Sequence, residues 1–271
     1  HRDHPSWKFE AVYHDYDLEF AATIQLENPA RNIVPYNFRE YRDFNYPNQQ
    51  DAGGWYAANR AGLLFTMDPR NWLTEKYIFM FEKLSEVENA PAERRLQYLF
   101  SGNQDLLNMI PGIISASRAH GVSPIFVGSR ILTEVQTRYN GVLTVTAPAK
   151  GTRKISQDEI NLLGITADPN ANYYNVFNIG AYQGSDPQKN AVLYAMGYNN
   201  GVTSPNVMAR YSLPWDTQYK AIYGGITFIK EAYLDRGQNS NYYMKYNLRP
   251  SRDNLRANVW HQYMGNIFAP A

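Results

Sequence analysis

The sequence predicts an α+β chain that is mostly α-helical, with one small β-hairpin lobe and an irregular N-terminal subdomain. Three observations lead there. Helix start and stop signals recur from Asp68 onward, a single stretch alternates β-branched residues, and the opening segment holds no sustained helical period.

Taken in order, HRDHPSWKFEAVYHDYDLEF through FREYRDFNYPNQQDAGG is rich in Asn, Pro and Tyr and reads as a surface-wrapping segment. Asp68-Pro69 then sets a capping carboxylate before a first-turn proline, and the apolar run from Trp72 to Phe81 continues at helical spacing. Pro91 opens a short helix, and another spans Leu106 to Ala119 with a kink or break near Pro111. Ser123-Pro124 caps a helix running to about Gln136. Strand character is confined to Gly141 through Ile155, where Thr and Val alternate in GVLTVTAPAKGTRKI. Asp186-Pro187 starts a helix that Gly197 or Gly201 stops, Asp216 starts one that Gly237 stops, and a last helix covers Ala257 to Asn266. Hydrophobic periodicity runs on past Arg60, so the boundary between an N-terminal subdomain, 1–88, and the core it wraps, 89–271, is gradual.

Composition bounds the function. With 271 residues, 44% of them hydrophobic, and 26 Lys+Arg against 25 Asp+Glu, the chain folds without a staple. The absence of cysteine removes disulfides, thiol nucleophiles, thiolate zinc sites and iron–sulfur clusters. No apolar run approaches the roughly 18 to 20 residues of a membrane span, and a net charge of +1 gives a phosphate backbone little to grip. Neither membrane insertion nor nucleic-acid binding is expected. The chain opens with His1 and shows no signal-peptide pattern, as a mature or excised domain would. Its 22 Tyr beside 12 Phe and 5 Trp supply flat faces with polar edges, suited to the C–H faces and hydroxyls of a sugar and equally to a polar-rimmed core.

One carboxylate stands out. In PIFVGSRILTEVQ, a helical turn of about 100° per residue sets Val127, Ile131 and Glu134 on one stripe. Glu134 is therefore on an apolar face near the negative end of the helix dipole, and both surroundings disfavour its ionised form. A carboxyl kept protonated near neutral pH is the general acid that glycosidic cleavage needs. Pairing with Arg130 or Arg138, each four residues away, would instead make it structural.

The segment around Glu134 is followed by YYNVFNIGAY, WDTQYKAIYGGITFIKEAYLDRGQNSNYYMKYN and VWHQYMGNI, and preceded by HPSWKFEAVYHDYD and MDPRNWLTEKYIFMFEKLS. These ordered motifs resemble the endo-β-N-acetylglucosaminidases of glycoside hydrolase family 73, the clostridial-type glucosaminidase autolysins of Gram-positive bacteria, over nearly the whole chain. The resemblance implies a lysozyme-like core whose cleft binds peptidoglycan and cuts the β-1,4 bond between N-acetylglucosamine and N-acetylmuramic acid. GSRILTEV matches the family's acid-bearing helix with Ser129 and Glu134 in register, so Glu134 is the implied catalytic acid. The family's YNxxGIGAY element matches Tyr174, Asn175, Ile179, Gly180, Ala181 and Tyr182, with Asn178 where Gly is usual. It implies Tyr174, Asn175 and Tyr182 as substrate-binding residues, and HQYMGNI adds Tyr263. A Tyr-Asn pair offers a stacking face with an amide donor and acceptor for an N-acetyl group. Core packing for Tyr174 and Phe177, and helix packing for Tyr263, are the competing readings. The loop after Glu134, QTRYNGVL, departs from the GTSxLAxG of many relatives.

The second catalytic group is open. Asp158 and Glu159 are the candidate second acids between Glu134 and the Tyr-Asn motif with Asp168, yet SQDEINLLG also reads as a capping box on Ser156 and Glu159. Substrate assistance by the 2-acetamido group, with Tyr263 or Tyr174 orienting it, is the preferred course. Gly224-Gly225 inside a helix implies close packing, not chemistry. His1 and His4 with Asp3 and Asp15 make a weak metal pattern and read as a frayed terminus, so no metal and no cofactor are expected. The partner expected is the peptidoglycan glycan strand, met by a secreted or wall-associated monomer. A muramidase and a non-catalytic wall-binding module are the alternatives.

Overall fold

Short polar side chains start most of the helices. Asp17, Asn59, Asn103, Ser123, Ser156, Asp186, Thr217 and Ser240 each accept a backbone N–H from the first turn of the helix that follows. The computed structural model describes residues 6–51, 53–85, 91–139, 142–181, 186–199 and 202–270. The chain is α+β and mostly helical, and it divides into two compact units, one of residues 1–83 with 236–271 and the other of residues 84–235. The sequence draws one boundary near residue 88; in the structure the last 36 residues, 236–271, pack with the N-terminal segment instead.

In the first unit, the segment read as irregular carries the helices Leu18–Leu26 and Arg60–Met67 and a three-stranded antiparallel sheet. The central strand Trp55–Ala57 pairs with Ile33–Pro35, placing Tyr56 opposite Val34, and with Gln49–Asp51 on its other edge. Strands of three residues are too short to show an alternating period, which is why the sequence hides them. The tail joins the edge of this sheet, with Ile33 N–H donating to the Gly265 carbonyl (3.1 Å) and Ile267 N–H to that of Ile33 (3.1 Å). The last helix is accordingly only Leu255–Asn258, not the predicted run to Asn266: residues 265–267 take up extended pairing beside Ile33. Ala22, Val34, Leu63, Met67, Tyr246, Leu255 and Ile267 form the core of this unit.

A buried polar knot ties that core. Lys245 Nζ donates to the Arg31 carbonyl (2.7 Å), Asn32 Oδ1 (3.0 Å) and Gln262 Oε1 (2.7 Å), and Gln262 Nε2 reaches Gln25 Oε1 at 2.7 Å. Each ammonium donor thus has an acceptor, which is what permits a lysine here. Between Asp68 and Phe81 the predicted continuous helix is two 3-10 turns, Pro69–Trp72 and Ile78–Phe81. The Trp72 indole turns back to donate to the Thr66 carbonyl (3.0 Å), and burying that ring breaks the run.

In the second unit the helices Ile110–His120, Pro124–Val135 and Gln218–Ala232 provide the framework. Pro111 is in the first turn of its helix, where its missing N–H is not needed, so it starts the helix where a kink was predicted. Of the segment 141–155 predicted as strand, Val142–Val145 is one, pairing with Gln136–Tyr139 directly after the preceding helix, whereas Ala147–Lys150 turns into a short helix begun by Pro148 in its first turn; a second, two-residue hairpin joins Tyr198–Asn199 to Val202–Thr203. Gly224 and Gly225 are where two structures press on one helix: a Cβ on Gly224 would be 2.0 Å from the Tyr211 carbonyl, and on Gly225 2.1 Å from the Phe177 ring. No helix among the described residues is long and apolar enough to cross a membrane.

Candidate active site

Glu134 is half-buried at the penultimate position of the Pro124–Val135 helix, whose Val127, Ile131 and Val135 are core residues. The helix ends because the chain leaves directly into the Gln136–Tyr139 strand. Its last carbonyls, which no further turn can satisfy, are met by three different elements. Leu132 accepts from the Gln136 N–H, Val135 from the Thr146 N–H at 2.9 Å, and Glu134 from the side-chain amide of Asn178. The last turn of the helix, which carries the candidate acid, is thereby held by three hydrogen bonds. Arg130, one of its possible helix partners, has its guanidinium 5.7 Å from the Phe126 ring centroid; the Arg138 side chain is outside the described residues.

The Tyr-Asn element comes from a loop clamped by its main chain. Tyr174 N–H donates to the Trp215 carbonyl (2.9 Å) and Asn175 N–H to that of Pro148 (2.9 Å). Asn175 has no exposed surface, and its amide is fully engaged with backbone. Its Nδ2 donates to the carbonyls of Ile179 and Ala191 (both 2.8 Å), and its Oδ1 accepts from the N–H groups of Phe177 (3.3 Å) and Ile179 (3.2 Å). The motif assigns this amide to an N-acetyl group; in the fold all of its bonds go to backbone, where it shapes residues 175–179. Phe177 is core, pressed on Gly225, as the packing reading held.

Tyr174 remains half-buried, its ring lying on Gly151, where an added Cβ would be 2.7 Å from the ring. Gly151 has φ +69°, ends the Ala147–Lys150 helix in the left-handed region and leaves the flat surface the ring needs. Asn178 also adopts positive φ, +51°. That explains the departure from glycine at this position: Asn is the side chain that best tolerates the left-handed region, and here its amide reaches the Glu134 carbonyl. Neither Gly151 nor the tether was found from sequence, although a glycine after a short helix and an Asn in place of a glycine were the available signals.

Glu159 forms the capping box with Ser156 and an ion pair with Lys189. The Lys189 hydrogen bond, then those from Ser156, hold its carboxyl down at about 2. It is an ionised structural group, unsuited to donate a proton near neutral pH. Asp158 is exposed on the same first turn. Tyr182 lies outside the described residues, as do His1, Asp3 and His4. Tyr263 belongs to the first unit, where its N–H donates to the Met244 carbonyl (2.9 Å). Among the described residues no group of three or more His, Asp or Glu could hold a metal ion.

Set beside known proteins, the chain is 28% identical over 200 residues to the bifunctional autolysin of Staphylococcus aureus strain COL, a match covering 73% of this chain and 14% of the relative. The same protein of strain Mu50 matches equally. The chain thus spans about a seventh of the length of these curated relatives. No family profile matches. Among solved structures, S. aureus glucosaminidase B superposes with a TM-score of 0.56 at 20% identity, covering 97% of this chain and 86% of that one. A catalytic mutant of S. aureus autolysin E in complex with the disaccharide NAG-NAM gives 0.51 at 21% identity, covering 96% and 88%. The chain is thus similar in sequence to the staphylococcal bifunctional autolysin and shares the fold of S. aureus glucosaminidase B.

Proposed function

We propose that this chain is a peptidoglycan hydrolase that cleaves the β-1,4 bond between N-acetylglucosamine and N-acetylmuramic acid, with Glu134 as general acid. The observation that carries the reading is Glu134 itself: a half-buried carboxyl on a core-facing helix end, with its carbonyl tied to the loop that presents Tyr174. Similarity to a bifunctional autolysin and the fold of glucosaminidases, one of them with NAG-NAM bound, support the substrate class. The carboxyl protonates the departing glycosidic oxygen and then, as carboxylate, removes a proton from water. Glu159 is committed to Lys189, so the 2-acetamido oxygen of the substrate supplies the nucleophile, with Tyr174 orienting that group. The protein works as a monomer, secreted or associated with the wall of a Gram-positive bacterium.

Mass spectrometry of reduced digestion products from purified walls tests this. New N-acetylglucosamine reducing ends are expected. Muramic reducing ends would make the enzyme a muramidase, and no new ends would make the chain a binding module.

A further inference from the structure

The unit that lacks Glu134 carries an arginine whose donors its own fold leaves unused. Arg42 follows the 3-10 turn Arg39–Tyr41, and its main chain is fixed, the N–H donating to the Arg39 carbonyl (3.2 Å) and the carbonyl accepting from Asn59 Nδ2 (3.1 Å). Three rings surround the guanidinium carbon, with centroids at 3.7 Å for Tyr56, 5.1 Å for Tyr36 and 5.3 Å for Phe44. Tyr56 is on the central strand of the sheet, and the Tyr36 ring is 5.9 Å from it. Arg42 Nε is buried with no acceptor, and no carboxylate pairs with the guanidinium among the described residues. Tyr36 and Phe44 are nevertheless 59% and 60% exposed.

These facts pull in one direction. A buried charged donor without an acceptor is costly, and ring faces attract the cation without taking the Nε–H as an oxygen would. The donor edge of a guanidinium matches a carboxylate through two parallel bonds. Exposed aromatic faces beside it match the C–H face of a sugar. We infer that Arg42, Tyr36, Phe44 and Tyr56 form an accessory site for a carboxylate-bearing peptidoglycan fragment, a muropeptide, with the sugar on the rings and the carboxylate on the guanidinium. The identity of this ligand rests on the proposed function; the anionic saccharide chemistry rests on the arginine and its rings.

Binding is measured by titration calorimetry with the Glu134→Gln protein, so that nothing is hydrolysed. The probes are a soluble muropeptide, the same muropeptide with its carboxylates amidated, a neutral N-acetylglucosamine tetramer, and inorganic phosphate. The intact muropeptide is expected to bind about tenfold more tightly than the amidated one; Arg42→Gln should erase that preference, and Phe44→Ala, which removes a ring for the sugar, should weaken both muropeptides about tenfold. Phe44 is exposed, so its variant tests the site even if Arg42→Gln fails to fold. Undiminished muropeptide binding in a folded Phe44→Ala protein, or tighter binding of phosphate than of muropeptide at Arg42, would overturn the inference. Failure of the hydrolase reading shows separately, as wild-type protein that releases no reducing ends.

Discussion

The side-chain amide of Asn178 donates a hydrogen bond to the backbone carbonyl of Glu134. One residue of the Tyr-Asn loop thereby closes the last turn of the helix that carries the candidate acid. The bond joins two motifs that are 44 residues apart in the chain.

Replacing Asn178 separates its two contributions. Asn178→Gly keeps the left-handed φ and loses the donor, whereas Asn178→Asp keeps the shape and sets an anionic acceptor against a carbonyl. Asn178→Asp should cost about 1 to 3 kcal/mol and Asn178→Gly about 1 kcal/mol or less in urea unfolding. Both should slow wall lysis more than their stabilities account for. Full activity in a folded Asn178→Asp protein would remove Asn178 from the positioning of Glu134.

Glu134→Gln preserves size and removes the proton donor. Retained binding to purified walls is expected, with turbidity loss slowed at least about a hundred-fold. Equal rates in the two proteins would end the assignment.

Glu159 gives a pH signature of stability. Its pKa is depressed from 4.5 to about 2 by Lys189 and Ser156, so its contribution is present above 4.5 and is lost as pH falls toward 2. Thermal midpoints measured across that range should fall less steeply with acid in Glu159→Gln than in wild type. Replacing Asp158 and Glu159 together should likewise change stability and spare activity. A folded double variant as slow as Glu134→Gln would replace substrate assistance by a second carboxylate.

Gly151→Ala drives a methyl into the Tyr174 ring at a position with φ +69°. A loss of about 1 to 2 kcal/mol is expected from the backbone alone. Displacement of Tyr174 should also raise KM for soluble glycan. Unchanged KM in Gly151→Ala together with Tyr174→Ala would take Tyr174 out of the substrate site.

Lys245→Met removes the donor that satisfies the Arg31 carbonyl, Asn32 and Gln262. Two buried acceptors, Asn32 and Gln262, and the half-buried Arg31 carbonyl left open should destabilise the first unit by about 3 kcal/mol. Urea denaturation followed by tyrosine fluorescence would show the shift, and a neutral result would mean that water replaces the ammonium.

What the sequence determined by itself was local. Ser123 and Asp186 as helix caps, the Ser156–Glu159 box, the strand at Val142–Val145 and the place of Glu134 on an apolar helix face all follow from neighbours within a turn or two, where propensity and periodicity act. Tertiary structure decided what each polar side chain is for. Asn175 reads as a ligand residue until Ala191, 16 positions on, is found to claim its amide, and Arg42 has Tyr36 and Phe44 as sequence neighbours but meets the Tyr56 ring only through the central strand of the sheet. The short strands, the docking of residues 265–267 beside Ile33 and the Lys245 knot likewise depend on partners far along the chain. A hydrogen bond or buried charge is worth what its surroundings leave unsatisfied, and those surroundings exist only once distant segments have met.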